Sequence, residues 1–351
     1  MNEMIRIALA PDDDRRDLFL TTAQRLGTAP ENIEKDFWVC WTLDALYNKA
    51  VIKPRLLFKG GTSLSKAWGL IERFSEDIDI TVFRTDFDGA HFPTDDELVE
   101  LSRKKREAIL EDIKATCQGF IAGPFHDALK NVADAELGGM SFRFEGDSDD
   151  PDGQSLLFHY PSAFRVGGKE YVRRVVKIES GAKSALDPHR MATVTPYVAD
   201  DVDLDLDVTN VRAILPERTF WDKVVILHGQ RRWFENRGSL YKDGQRLSRH
   251  YYDVYCMLMA GIGQDALGDL AMAEDCASHA RLFFNRGPLD LESAVPGTFA
   301  LVPSPDMVRS LEDDYGRMAG MIFGEAPPFE DIVDAISDAE EKLNAVPIPP
   351  S

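Results

Sequence analysis

Cysteine is scarce in this chain, and the four that occur (Cys40, Cys117, Cys256 and Cys276) stand far apart with no Cys-x-x-Cys pairing. Such spacing supports neither a disulfide framework nor a zinc site, and buried thiols are the expected state. Seven histidines are equally scattered, with no pair at i, i+4. No apolar run approaches the roughly eighteen residues of a membrane span, and residues 1–6 lack the basic-then-apolar character of an export signal. A cytoplasmic location with no membrane partner is therefore expected. Positive charge is also in short supply: the net charge of −20 argues against a general nucleic-acid coat protein, because phosphate binding needs local cations. The 44% of apolar residues is ample for a core, and 351 residues allow two domains.

The most informative stretch is Phe58-Lys59-Gly60-Gly61-Thr62-Ser63-Leu64-Ser65-Lys66, followed by Ser75-Glu76-Asp77-Ile78-Asp79-Ile80. Residues 56–58 predict a buried strand, Gly60-Gly61 a turn whose amides face outward, and residues 63–74 a helix whose start suits phosphate oxygens. In the strand that follows, a period of two sends Asp77 and Asp79 to one face and Ile78, Ile80 and Val82 to the other. Two carboxylates so placed repel each other unless a cation sits between them, and hard oxygen ligands suit Mg²⁺. Taken singly, a Gly-Gly helix start and an Asp-x-Asp strand face are commonplace. Together on adjacent elements they describe a site for a nucleoside triphosphate and a metal. A Walker-type P-loop does not fit, because the second glycine before Lys66 is missing and Ala67 replaces the hydroxyl residue after it.

These residues resemble the first motif of the AbiEii/AbiGii toxin family, a branch of the polymerase-β-like nucleotidyltransferases. Val176-Lys177-Ile178-Glu179 is similar to the family's second motif, residues 217–223 to the third, and residues 249–255 to the fourth. Ile33-Glu34-Lys35-Asp36-Phe37-Trp38-Val39 is similar to a segment that precedes the site in many members. The resemblance implies transfer of a nucleotidyl group from an NTP with Mg²⁺ or Mn²⁺. By this resemblance Asp77, Asp79, Lys177 and Asp222 are the catalytic candidates, with Asp77 and Asp79 holding metal. Gly60, Gly61, Thr62, Ser63, Lys66 and Lys223 are the nucleotide-binding candidates, and Glu179, Arg249 and Asp253 the supporting ones. A third metal carboxylate is expected, with Glu179, Asp205 and Asp207 all open. A bacterial toxin paired with a winged-helix antitoxin, acting on an RNA such as the 3′ end of a tRNA, is the implied biology. Transfer to a protein or small-molecule hydroxyl, and a non-catalytic nucleotide-binding module, are the alternatives.

The pattern along the chain predicts an α/β (α+β) catalytic lobe over 1–209, with a mixed sheet, and a mainly helical lobe over 210–351. Helices are expected over 12–49, over 94–117 from a capping box at Thr94-Asp95-Asp96-Glu97, and over 216–229, 247–260, 265–284, 305–322 and 328–345. Strands are expected over 77–83, 140–145, 155–160, 171–179 and 202–208. The acidic loop 146–153 predicts a turn. Between Arg212 and Tyr252 nine Lys/Arg stand against four acids, a local balance of +5 in an acidic chain. This strip, with Arg231, Arg232, Trp233, Phe234 and Tyr241, is a candidate RNA path. Arg165, Lys169, Arg173, Arg174 and Lys177 make a second basic patch.

Overall fold

The chain begins with α1 (Glu3–Ala8), α2 (Asp12–Leu26) and α3 (Pro30–Asp44). Three aspartates open α2, where the helix dipole favours negative charge, and Gly27 closes it at φ 65° in the left-handed region. Pro30, with its fixed φ, starts α3. The computed structural model describes residues 3–164, 174–244 and 246–345, the side chains of 242 and 243 excepted. In order there follow β1 (Leu56–Lys59), α4 (Gly60–Lys66), β2 (Asp77–Val82), α5 (Asp95–Val99), α6 (Arg103–Phe120), α7 (His126–Glu136), β3 (Arg143–Gly146), β4 (Ser155–His159), β5 (Val176–Gly181), β6 (His189–Val194) and β7 (Val208–Ile214). Then come α8 (Pro216–Arg237), α9 (Ser248–Met259), α10 (Ile262–Ala266), α11 (Leu270–Phe283), α12 (Pro305–Met318) and α13 (Phe329–Asn344).

The strands form one mixed sheet in the order β3-β4-β5-β2-β1-β7-β6. β2 lies antiparallel to β1 and parallel to β5, with Asp77 opposite Lys177 and Asp79 opposite Glu179. Ile78, Ile80 and Val82 join Phe37, Trp38, Trp41, Phe58, Phe158 and Ile178 in the main core. Every residue of α3 from Asn32 to Asp44 is buried against it. A mixed α/β protein is the class expected from the sequence.

Two compact units emerge. The first holds Met1–Gly69, Phe74–Phe92 and Leu101–Ile214; the second holds Leu70–Arg73, Pro93–Glu100 and Leu215–Ser351. Among the described residues no helix is long and apolar enough to cross a membrane. Cys40, Cys117 and Cys276 are buried and Cys256 half-buried, all as free thiols.

Several expected elements differ. The helix expected over 63–74 ends at Lys66, and Gly69 follows at φ 62°, which breaks the pattern. Thr94 does form its capping box with Glu97, but the helix it starts stops at Val99, and α6 begins afresh after Ser102. The single helix expected over 265–284 is two, because the Asp269 side chain accepts from the Met272 N–H and caps a new start. The alternating 202–207 segment is not a strand: the Asp207 N–H donates to the Asp205 carboxylate at 3.1 Å in a local turn, and pairing starts only at Val208. Part of the strand expected over 171–179 lies outside the described residues.

In the second unit, buried His228 accepts from the Ala300 N–H at Nδ1 (3.1 Å) while Nε2 stands 3.2 Å from the Asp290 carbonyl oxygen, which fixes the neutral tautomer. Burial pushes its pKa from 6.5 down to about 4, against the pull of the Asp290 carbonyl. The unfolded chain binds this proton near the ordinary value and the folded chain does not. Stability from this group is therefore complete above the unfolded pKa and is lost as pH falls towards 4, by about 3 kcal/mol at most. Urea denaturation across that window should show the loss in the native protein and a flatter profile in His228→Gln.

Candidate active site

The sheet face opposite α3 carries Asp77 and Asp79 on β2 and Lys177 and Glu179 on β5, because in each strand the alternate residues are in the core. Gly60, at the end of β1, has φ 77°, and a Cβ placed there would stand 2.0 Å from Asp79 Oδ2. Only glycine lets the carboxylate sit against this backbone. Thr62 is fully buried; its hydroxyl donates to the Asp77 carbonyl oxygen and meets Ser75 Oγ at 2.8 Å, tying α4 to the start of β2. Ser63, also buried, donates to the Gly60 carbonyl oxygen at 2.9 Å. Both hydroxyls thus shape the turn from inside, in place of the phosphate contacts expected of them.

The Lys177 ammonium lies 2.8 Å from Glu179 Oε1 and 3.1 Å from Asp147 Oδ2. Burial opposes its charge, but the hydrogen bonds and charges of Glu179 and Asp147 outweigh that and hold its pKa above the ordinary lysine value. Asp147, with a side chain only 5% exposed, belongs to the acidic loop that the sequence marks merely as a turn. Its role was not readable from sequence, since it lies 30 residues from its partner.

Lys66 requires a correction. Its ammonium is 2.8 Å from Asp36 Oδ1 and 3.6 Å from the Tyr197 ring centroid, with 5% of the side chain exposed. Asp36 raises its pKa against the effect of burial. It is a buried pair partner turned towards α3, away from any triphosphate on the opposite face. Asp205 and Asp207 are corrected too. The Asp205 N–H donates to Glu3 Oε2 (2.6 Å), and Asp207 accepts from Thr195 Oγ1. Both precede β7, whose far end pairs with Phe58, so they lie at the opposite end of the sheet from Gly60. Glu179 is the carboxylate that β5 brings beside Asp79.

The remaining candidates belong to the second unit. Asp253 is fully buried: Arg73 donates to both its oxygens (2.8 and 2.9 Å) and the Lys223 ammonium lies at 2.8 Å. Burial raises the cost of its charge, but Arg73 and Lys223 hold its pKa well below the carboxylate range. Burial lowers the pKa of Lys223, and that of His250 3.4 Å away. Lys223 is thus a buried internal partner of Asp253, where the resemblance implies a phosphate contact. Asp222 is half-buried on α8 with Arg218 Nε 3.5 Å away, and Arg249 is half-buried on α9.

The basic strip is also reduced. Arg231 binds Glu235 at 2.7 Å and donates to the Val302 carbonyl oxygen; Arg232 binds Glu235 at 3.0 Å and donates to the Thr298 carbonyl oxygen. They fasten α8 to the segment between α11 and α12. Trp233 and Tyr241 pack edge to face, 4.9 Å apart. Of the second patch, Arg165, Lys169 and Arg173 lie outside the described residues.

Among the described residues no group of three His, Cys, Asp or Glu side chains stands ready to hold a metal ion. Mg²⁺ needs no such cage: it is commonly held by one or two carboxylates with substrate phosphates and water. Asp77 and Asp79, hard oxygen donors above a glycine that leaves them room, fit that pattern.

No curated protein matches the sequence. A solved structure, that of MenT4, a nucleotidyltransferase toxin from Mycobacterium tuberculosis H37Rv, is similar over 93% of this chain and 98% of its own, at 17% identity and a TM-score of 0.35. The sequence model described as "Nucleotidyl transferase AbiEii toxin, Type IV TA system" matches residues 41–335. The chain belongs to this family of nucleotidyltransferase toxins.

Proposed function

We propose that the protein transfers a nucleoside monophosphate from an NTP to an RNA hydroxyl, with a tRNA 3′ end as acceptor, at a site centred on Asp77 and Asp79. The observation that carries this reading is the seating of Asp79 against Gly60, with Lys177 and Glu179 in register on the next strand. Asp77 and Asp79 would hold Mg²⁺ or Mn²⁺, which when bound lowers the pKa of the attacking hydroxyl and neutralises the triphosphate. The hydroxyl gives up its proton to solvent, its oxygen bonds to the α-phosphorus, the bond to the α–β bridging oxygen breaks, and pyrophosphate leaves. Gly60 and Gly61 present backbone amides to the phosphates. Lys177, charged at neutral pH and opposite Asp77, stabilises the charge that grows on them.

The excess of positive charge between Arg212 and Tyr252 supports RNA as the acceptor. With Arg231 and Arg232 committed elsewhere, exposed Arg237 is the candidate to meet its backbone. A toxin of a type IV system implies a cognate antitoxin, for which a winged-helix protein is the proposed form. Asp222 is proposed as a further catalytic residue, with Arg249 and Asp253 as supporting ones, Asp253 by holding Lys223 and Arg73 within the second unit.

Incubation with each labelled NTP and total cellular RNA tests the reading. Label is expected in RNA of tRNA size. Lys177→Ala should cut kcat/KM by about 10² to 10³ in a protein that still folds, with a lowered denaturation midpoint because Asp147 loses its cation. Native kinetics in that variant would remove Lys177 from the chemistry, and label in protein alone would make protein the acceptor.

A further inference from the structure

Three consecutive charged residues of α3, Glu34, Lys35 and Asp36, are almost wholly buried. Buried charge is costly unless paired and hydrogen-bonded, and each of the three meets a different segment. Glu34 accepts from Ser162 Oγ and the Ala163 N–H, both at 2.6 Å. The Lys35 ammonium lies 2.7 Å from Glu76 Oε2. Asp36 binds Lys66 at 2.8 Å through one oxygen and accepts from the Tyr197 N–H at 2.8 Å through the other.

Two of these contacts bracket the candidate site. Lys66 ends the short α4 that Gly60 begins, and Glu76 immediately precedes Asp77. By the alternation of the strand, Glu76 lies on the α3 side of the sheet while Asp77 points to the opposite face. Thr62 then joins the two segments through the Asp77 carbonyl oxygen. We propose that Lys35 and Asp36 are positioning residues for nucleotidyl transfer: from behind the sheet they fix the start of β2 and the far end of α4, and so set the distance between Gly60–Gly61 and the Asp77/Asp79 carboxylates. Neither touches substrate. This inference rests on the assignment of the reaction to Asp77 and Asp79.

The test separates positioning from mere support of the fold. Lys35→Met leaves Glu76 without its cation and lowers stability, whereas Lys35→Met with Glu76→Gln removes both charges and should recover the native denaturation midpoint. In that double variant kcat is expected to remain 10- to 100-fold down with KM for the NTP within twofold of native, since misplacement by about 1 Å costs that much. Lys35→Arg, which keeps the charge, should recover most of kcat. A double variant with native kcat, or one whose loss falls on KM alone, overturns the proposal. Native protein and Asp79→Ala run alongside judge the underlying assignment. Transfer by the native protein that is abolished in Asp79→Ala upholds it, so that a failure in the Lys35 series then counts against positioning alone. Transfer that persists in Asp79→Ala, or native protein that transfers nothing, overturns both.

Discussion

Gly60→Ala should lower nucleotidyl transfer by at least 10²-fold while costing only about 1–2 kcal/mol of stability. The new methyl carbon would stand 2.0 Å from Asp79 Oδ2 and 2.7 Å from its Cγ, so the carboxylate must move. A side-chain end moves more easily than backbone, and the fold survives. The left-handed φ of 77° adds the modest strain of an alanine in that region. Steady-state kinetics beside urea denaturation check the pair of effects. A variant that transfers at the native rate would show that the seating of Asp79 on Gly60 is irrelevant to the chemistry.

The second large effect concerns folding. Asp253→Ala should cost about 3–5 kcal/mol, because it strands Arg73 and Lys223 together in a buried place with no anion between them. Asp253→Asn should be nearly as harmful, since the amide supplies no charge and can accept through only one oxygen. The sign of the pH dependence follows from the lowered pKa. The stabilisation is complete above the unfolded value near 3.9 and is lost only as pH falls through the folded one, well below the window in which His228 acts. Chemical denaturation at neutral pH gives the magnitude, and an Asp253→Ala protein as stable as the native would contradict the arrangement.

What could be read from the sequence was local. The carboxylates of β2 were legible because a strand's period of two is visible within six residues, and the glycine turn because few residues tolerate its backbone. The capping box at Thr94 was legible for the same reason. What was hidden depends on partners far along the chain. Lys66 looks like a phosphate ligand until Asp36, 30 residues earlier, takes its charge, and Lys223 looks exposed until Asp253 and Arg73 enclose it. The clean alternation of residues 202–207 misled because aspartates satisfy backbone donors with their own side chains and so compete with strand pairing. β6 is not legible in the sequence because an edge strand such as His-Arg-Met-Ala-Thr-Val needs little apolar character. The charged run Glu34-Lys35-Asp36 has the composition of a solvated helix face, yet it is buried, and only the tertiary contacts say why.

Asp77 and Asp79 are proposed to carry metal-dependent nucleotidyl transfer. The most direct test is the rate of labelled NMP incorporation into cellular RNA by native protein, Asp77→Ala and Asp79→Ala, each titrated with Mg²⁺. Incorporation by the native protein should rise with Mg²⁺ and vanish on chelation, and neither folded variant should incorporate at any concentration. Incorporation by Asp77→Ala or Asp79→Ala at the native rate, or native activity indifferent to chelation, would contradict this role.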